Sequence, residues 1–118
     1  MYTVNYQDAP VIEVLAEDVQ GTTIQWLLDP SRGAPTFAMR RFVIGPGGHT
    51  PCHEHDWEHQ VYVLRGTGVL GGGEGEVPLM PGLAVLVLPG ERHQFRCDGP
   101  EELEFLCLVP NGPATGGQ

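Results

Sequence analysis

The feature that most constrains this chain is its punctuation. Nine short runs have strand character: VIEVLAE, TIQWLL, TFAMRRFVI, HQVYVLRG, GVLGG, EVPLM, LAVLVLP, HQFRCD and LEFLCLVP. Among them stand DPSRG, GPGG, GGGEGE, MPG, PGE and DGPEE, turns built from residues that supply a positive or a fixed φ. No capped segment of ten or more residues carries apolar positions at three- and four-residue spacing, so no long helix is expected. Short strands with dense turns predict an all-β fold, an antiparallel sandwich or barrel.

Gly and Pro together are numerous, 17 and 11 of 118 residues, close to the level at which disorder competes with folding. Against that, 41% of the chain is apolar, and this fraction is gathered in blocks that can fill a core. The length suits one core and not two. Residues 1–118 are therefore read as a single domain, with 1–30 an N-terminal strand arm and 112–118, GPATGGQ, a flexible tail. The arm is expected to pair with a neighbouring subunit's sheet edge, making a homodimer.

Charge and cysteine content narrow the function classes. Six basic and fifteen acidic residues give a formal charge of −9, which repels nucleic acid and anionic membrane surfaces. No apolar run approaches the ~20 residues that span a bilayer, and MYTVNYQDAPVIEV lacks the pattern of a signal peptide, so a cytoplasmic protein is expected. Cys52, Cys97 and Cys107 are odd in number and far apart, which predicts reduced thiols rather than a disulfide framework or a zinc ribbon.

The chemistry concentrates in CHEHDWEHQVYVLRGTG, residues 52–68. Side chains of an extended chain alternate faces. His53, His55, Trp57, His59, Val61 and Val63 then share one face, and Glu54, Asp56, Glu58, Gln60, Tyr62 and Leu64 the other. Three buried imidazoles need three partners, because an unpaired buried polar group costs roughly 1–3 kcal/mol, and one divalent cation satisfies all three. His93, in LPGERHQF after the Pro89-Gly90 turn, is the fourth candidate ligand. His49, beside Gly47 and Gly48, is read as a loop residue. Cys52 falls on the face opposite the ligands, Cys97 and Cys107 are expected to pack inside, and Trp57 is expected to shield the site.

The run Gly47 to Gly66, G-x5-H-x-H-x3-H-x6-G, resembles the first motif of the cupin superfamily, whose usual form has Glu where His59 stands. Gly82-x6-Pro89-x3-His93 resembles the second motif, with one extra residue before the proline, Glu91 at its second glycine and Cys97 at its terminal asparagine. The resemblance implies a jelly-roll β-barrel of the small single-domain type. It implies His53 and His55 on one strand, His59 on the next and His93 on a later one, converging on one metal, as in monocupins with a four-histidine site.

Four neutral imidazoles leave a divalent ion with its full double charge, where a carboxylate ligand would halve it. Such a donor set suits Mn, Fe, Co, Ni, Cu or Zn. The resemblance favours Mn(II) or Fe(II), with Cu, Ni, Co or Zn as alternatives. The expected function is a metal-dependent oxidoreductase or dioxygenase acting on a small organic substrate. Its pocket is expected to be walled by Val61, Phe95, Phe105 and Cys107, with Arg40 anchoring a carboxylate or enolate. The alternative is a non-catalytic cupin that binds a small ligand or a metal, because one fold hosts many functions. An isomerase or lyase would need a general base near the ion, and the sequence offers no inward carboxylate for it.

Overall fold

The computed structural model describes residues 1–73 and 75–115. Each of the nine runs forms one strand: β1 Ile12–Glu13, β2 Gln20–Leu28, β3 Phe37–His49, β4 His59–Arg65, β5 Gly68–Gly71, β6 Val77–Leu79, β7 Ala84–Val87, β8 Gln94–Arg96 and β9 Leu103–Pro110. The only helical pieces among the described residues are three short 3-10 turns. The all-β expectation holds, and the nine-stranded sheet curls into a β-barrel. Among the described residues no helix is long and apolar enough to cross a membrane.

Strand β3 organises the barrel. Its first part is held between β2 and β9, with Arg40 opposite Trp26 on one side and Cys107 on the other. Its last residue, His49, pairs instead with Arg96 of β8. One branch runs from β3 through β9 and β4 to β7, and the other through β8 and β5 to β6. The switch falls at Gly45-Pro46-Gly47-Gly48, which the sequence reading took as a turn and which lies inside β3. Strand pairing overrides turn chemistry here: Gly47 N–H donates to the Cys97 carbonyl at 3.1 Å, and Cys97 N–H to the Gly48 carbonyl at 3.0 Å. The glycines serve close approach, since a Cβ on Gly48 would sit 2.5 Å from the Gln20 carbonyl oxygen. His49 is accordingly a strand residue and not a loop residue.

Residues 1–30 lie against the chain's own sheet. Strand β2 pairs with β3 from Gln20 to Leu28, closing the edge that the sequence reading left for a neighbouring subunit. Gln25 Nε2 donates to the carbonyls of Tyr6 at 2.7 Å and Ala9 at 3.0 Å, which ties down the start of the chain. At the other end, Pro113–Thr115 form a 3-10 turn, and the last three residues of the expected tail, 116–118, lie outside the described residues.

Period-two alternation fills the interior. Ala38, Ile44, Val63, Leu103, Phe105 and Val109 are at most 1% exposed, and they come from three adjacent strands whose inward faces meet. This packing is interrupted along β3, where Arg40 and Phe42 stand between Ala38 and Ile44 on the inward face and, with histidines, threonines and a tryptophan, line an opening into the barrel.

Candidate metal centre

Burial follows the parity count along the whole of 53–64: every odd position is buried or half-buried, and every even one is exposed. A bend at Asp56 and Trp57 interrupts the extended chain without changing the order of faces. Glu58 stays outside. His53 is held against His93 by a reciprocal pair of backbone hydrogen bonds, 3.1 and 2.9 Å, which makes an isolated bridge and not a strand. His93 precedes β8, and His59 opens β4. A third tie comes from the Pro89-Gly90 turn, where Gly90 N–H donates to the His55 carbonyl at 2.6 Å. Two segments some forty residues apart are clipped together by their backbones, and the clip brings their imidazoles to one place.

The four rings form a single cluster. Ring centroids are 4.0 Å apart for His53 and His55, 4.9 Å for His53 and His93, and 4.8 Å for His59 and His93. His53, His55 and His93 offer ligand nitrogens that all lie within 4.8 Å of one another, and this three-histidine group could hold a metal. His59 adjoins it, its ring 5.3 Å from that of His55.

Proton placement suits a cation. The Nδ1 of His93 lies 2.9 Å from the Glu91 carbonyl oxygen. Since a carbonyl only accepts, Nδ1 carries the proton and Nε2 keeps its lone pair. The Nε2 atoms of His53 and His55 face each other at 3.1 Å. His59 Nδ1 lies 3.4 Å from Cys107 Sγ, and His59 Nε2 is buried with no hydrogen-bond partner. An orphaned buried nitrogen beside three convergent imidazoles fits the chemistry of a fourth nitrogen donor to a metal.

The electrostatics point the same way. Burial, and then the neighbouring His55 and His93, lower His53 to about 4. Burial, then His93 and Arg40, lower His59 to about 3. His55 is lowered too, first by burial and then by His93 and Arg40. At neutral pH these three rings are neutral, the form in which imidazole ligates a metal. Burial raises the Cys107 thiol, so it stays protonated.

The cluster opens on a cavity of about 390 Å³ whose lining includes all four histidines, Arg40, Phe95, Phe105 and Cys107. Val61 is a correction. It shares the ligands' face but is 3% exposed within the core and does not line the cavity, because Cys107, its partner across β4 and β9, stands between Val61 and Arg40. Cys97 also lies away from the cavity, its thiol 3.1 Å from the Glu101 carbonyl. Cys52 is half-buried beside Gly72 and off the cavity wall. Trp57 stacks flat on His55, with centroids 4.3 Å apart and planes 6° from parallel, and so covers that ring.

Sequence reasoning missed the wall facing the histidines: Thr22, Ile24 and Trp26 of β2 and Phe42 of β3. The signal was there, because those β2 residues sit at alternate positions, as do Arg40 and Phe42. It went unused because residues 1–30 were assigned to an arm. No aspartate or glutamate lines the cavity among the described residues.

Comparison with known proteins places this architecture. The Cupin domain family matches residues 40–109. The chain is 37% identical over 75 residues to a 1-methylthio-D-xylulose 5-phosphate methylsulfurylase of Rhodospirillum rubrum, covering 63% of this chain and 47% of that protein. It is 31% identical over 70 residues to an oxalate-binding protein of Thermotoga maritima, covering 58% of each. It therefore spans about half the length of these curated relatives. Among solved structures, the polyketide cyclase RemF from Streptomyces resistomycificus superposes with a TM-score of 0.86 and 33% identity, over 93% of this chain and 79% of that one. The matched segment runs from the cavity arginine of β3 through both histidine segments to the end of β9, and on that ground the chain belongs to the cupin family.

Proposed function

We propose that this cupin is a metal-dependent oxidoreductase, of the dioxygenase type, acting on a small organic substrate, with His53, His55, His59 and His93 holding one divalent transition ion. The observation that carries the reading is the unpartnered, buried Nε2 of His59 beside three imidazoles whose nitrogens already converge. An all-nitrogen donor set suits Mn(II) or Fe(II), and also Cu, Ni, Co or Zn. When bound, the ion supplies a strong Lewis acid and, for Mn, Fe or Cu, redox capacity.

The chain's own residues do the rest. Phe95, Phe105, Phe42 and Trp26 present an apolar wall that excludes water and receives a flat substrate. Trp57 covers the outer face of His55. Cys107 accepts a hydrogen bond from Arg40 Nη2 at 3.0 Å and lies against His59 Nδ1, which orients that ring. Among the described residues no carboxylate stands on the wall to accept a proton as general base, which supports redox or Lewis-acid chemistry over carboxylate-based isomerisation.

A second reading is favoured by one comparison. The similarity to a polyketide cyclase extends over nearly the whole chain, and an aromatic-walled cavity suits metal-assisted cyclisation of a conjugated substrate equally well. A homodimer belongs to the proposal, supported by Tyr62, Leu64, Leu86 and Leu88 exposed on and beside β4 and β7. So does a cytoplasmic setting, in keeping with three free thiols.

The test is elemental analysis of protein purified without added metal, joined to a screen of phenolic, diketone and alkene compounds read both as oxygen uptake and as product mass. One bound transition ion per chain with oxygen consumption supports the dioxygenase. Turnover without oxygen uptake and without a mass change transfers the assignment to cyclisation. A protein that takes up no metal ends both readings and leaves a ligand-binding barrel.

A further inference from the structure

Arg40 and its sequence neighbour Arg41 are placed very differently. Arg41 is ion-paired with Glu104, donates to Gln25 Oε1 at 2.6 Å and lies over the ring of Tyr6. Arg40 has no carboxylate within 4.0 Å among the described residues. Its Nη2 meets only the Cys107 sulfur, and its Nε is buried with no hydrogen-bond partner. The guanidinium lies over Trp26 at 5.4 Å and over Phe42 at 5.1 Å. Such contacts steady a cation but accept none of its protons.

Arg40 is half-buried, and its Nε, shut away from water without an acceptor, is costly to leave so unless something supplies one. Among the described residues the cavity wall holds no acid, so a bound ligand would be placed to supply the acceptor. The aromatic wall restricts its shape. Phe42 stacks on Phe105 with centroids 5.3 Å apart and planes 17° from parallel, and Phe105 stacks on Phe95 at 4.7 Å and 25°. Phe95 in turn meets His93 edge-on at 6.2 Å. A continuous row of rings therefore runs from the guanidinium to the histidine cluster. Along the other side, the single sulfur of Cys107 joins Arg40 to His59.

From this arrangement we propose that Arg40 is an anion-binding residue, and that the cavity takes a flat, conjugated organic anion, a carboxylate or an enolate, with its oxygens on the guanidinium and its body along Phe42, Phe105 and Phe95. The planar fork of Arg40 can donate from Nε and an Nη to two oxygens at once, which a point charge cannot. This narrows the substrate class of the proposed function and rests on that cavity being the substrate site. It does not rest on the metal.

The experiment is calorimetric titration of the full chain with 2-naphthoate and with its neutral counterpart 2-naphthamide, on chelator-stripped and on Mn(II)-loaded protein. Wild type is expected to prefer the anion by about tenfold in both states. Arg40→Gln should bring the two affinities within about twofold, chiefly by weakening binding of the anion. Arg40→Lys, which keeps the charge but not the fork, should fall between, and it carries the test if the Gln variant does not fold, as judged by thermal denaturation. No anion preference in wild type, including no binding of either probe, would overturn the proposal, as would a preference undiminished in the variants. A preference confined to loaded protein and indifferent to Arg40 would assign the anion to the metal instead. A protein that holds no metal but shows the Arg40-dependent preference would sink the metal centre and leave this site standing.

Discussion

Strands β3, β4 and β9 each contribute to two polar clusters, and the clusters differ in whether the chain satisfies them. The first joins Arg41 of β3, Glu104 of β9 and Arg65 of β4. Glu104 accepts from both arginines, with Arg65 Nε at 2.6 Å, and Arg65 Nη2 reaches Glu102 at 3.0 Å. The second joins Arg40, Cys107 and His59 of the same three strands. There the Nε of Arg40 and the Nε2 of His59 are buried without partners. A cluster whose donors all meet acceptors within the chain serves stability. A cluster that leaves polar atoms open among the described residues is where the proposed ion and anion would bind.

This contrast can be broken by experiment. The largest effect is expected at the open cluster, where His59→Ala should weaken metal binding by more than about 100-fold, beyond the 10- to 100-fold typical of losing an outer partner. Glu58→Ala, one residue away on the exposed face, should leave metal content unchanged by elemental analysis. Equal losses would mean that the outward carboxylate is the ligand. At the closed cluster, Glu104→Ala strands Arg41 in a largely buried setting and should cost about 3 kcal/mol in urea denaturation. Arg65→Ala removes a half-exposed partner and should cost less than about 1 kcal/mol. Neither should change metal content, and a loss of metal in either would show that the two clusters are not separate.

A further effect is a pH dependence peculiar to the open cluster. The ordinary histidine value is 6.5, and the folded chain lowers His53 to about 4 and His59 to about 3. Between these values the unfolded chain binds more protons, so stability rises with pH. Metal-stripped protein should hold its full stability above pH 6.5, lose it progressively as pH falls through that window, and lose nothing further from these two groups below about 3. Denaturant midpoints at a series of pH values check this, and a His53→Gln, His59→Gln double variant should flatten the curve.

Much of the architecture was legible because it is local. Nine apolar runs became nine strands, and alternation sorted His53, His55 and His59 inward and Glu54, Asp56 and Glu58 outward, since both follow from the geometry of an extended chain. The errors share one cause. GPGG reads as a turn by its residues, yet it is the bend where β3 leaves β9 for β8. Residues 1–30 look like a loose arm, yet β2 finds its partner in β3 and brings Thr22, Ile24 and Trp26 to the cavity. Val61 has the right parity for the pocket, and only the neighbouring strand shows that Cys107 occupies that place.

By itself, then, the sequence determined the strand content, the faces, and the identity of the residues able to ligate. Tertiary structure decided their company. His93 meets His53 through a backbone bridge across forty residues, and Cys107 reaches Arg40 across 67. Alternation says which way a side chain points, whereas what it finds there depends on long-range strand pairing. That pairing set Arg41 beside a carboxylate and left Arg40, one residue earlier, without one.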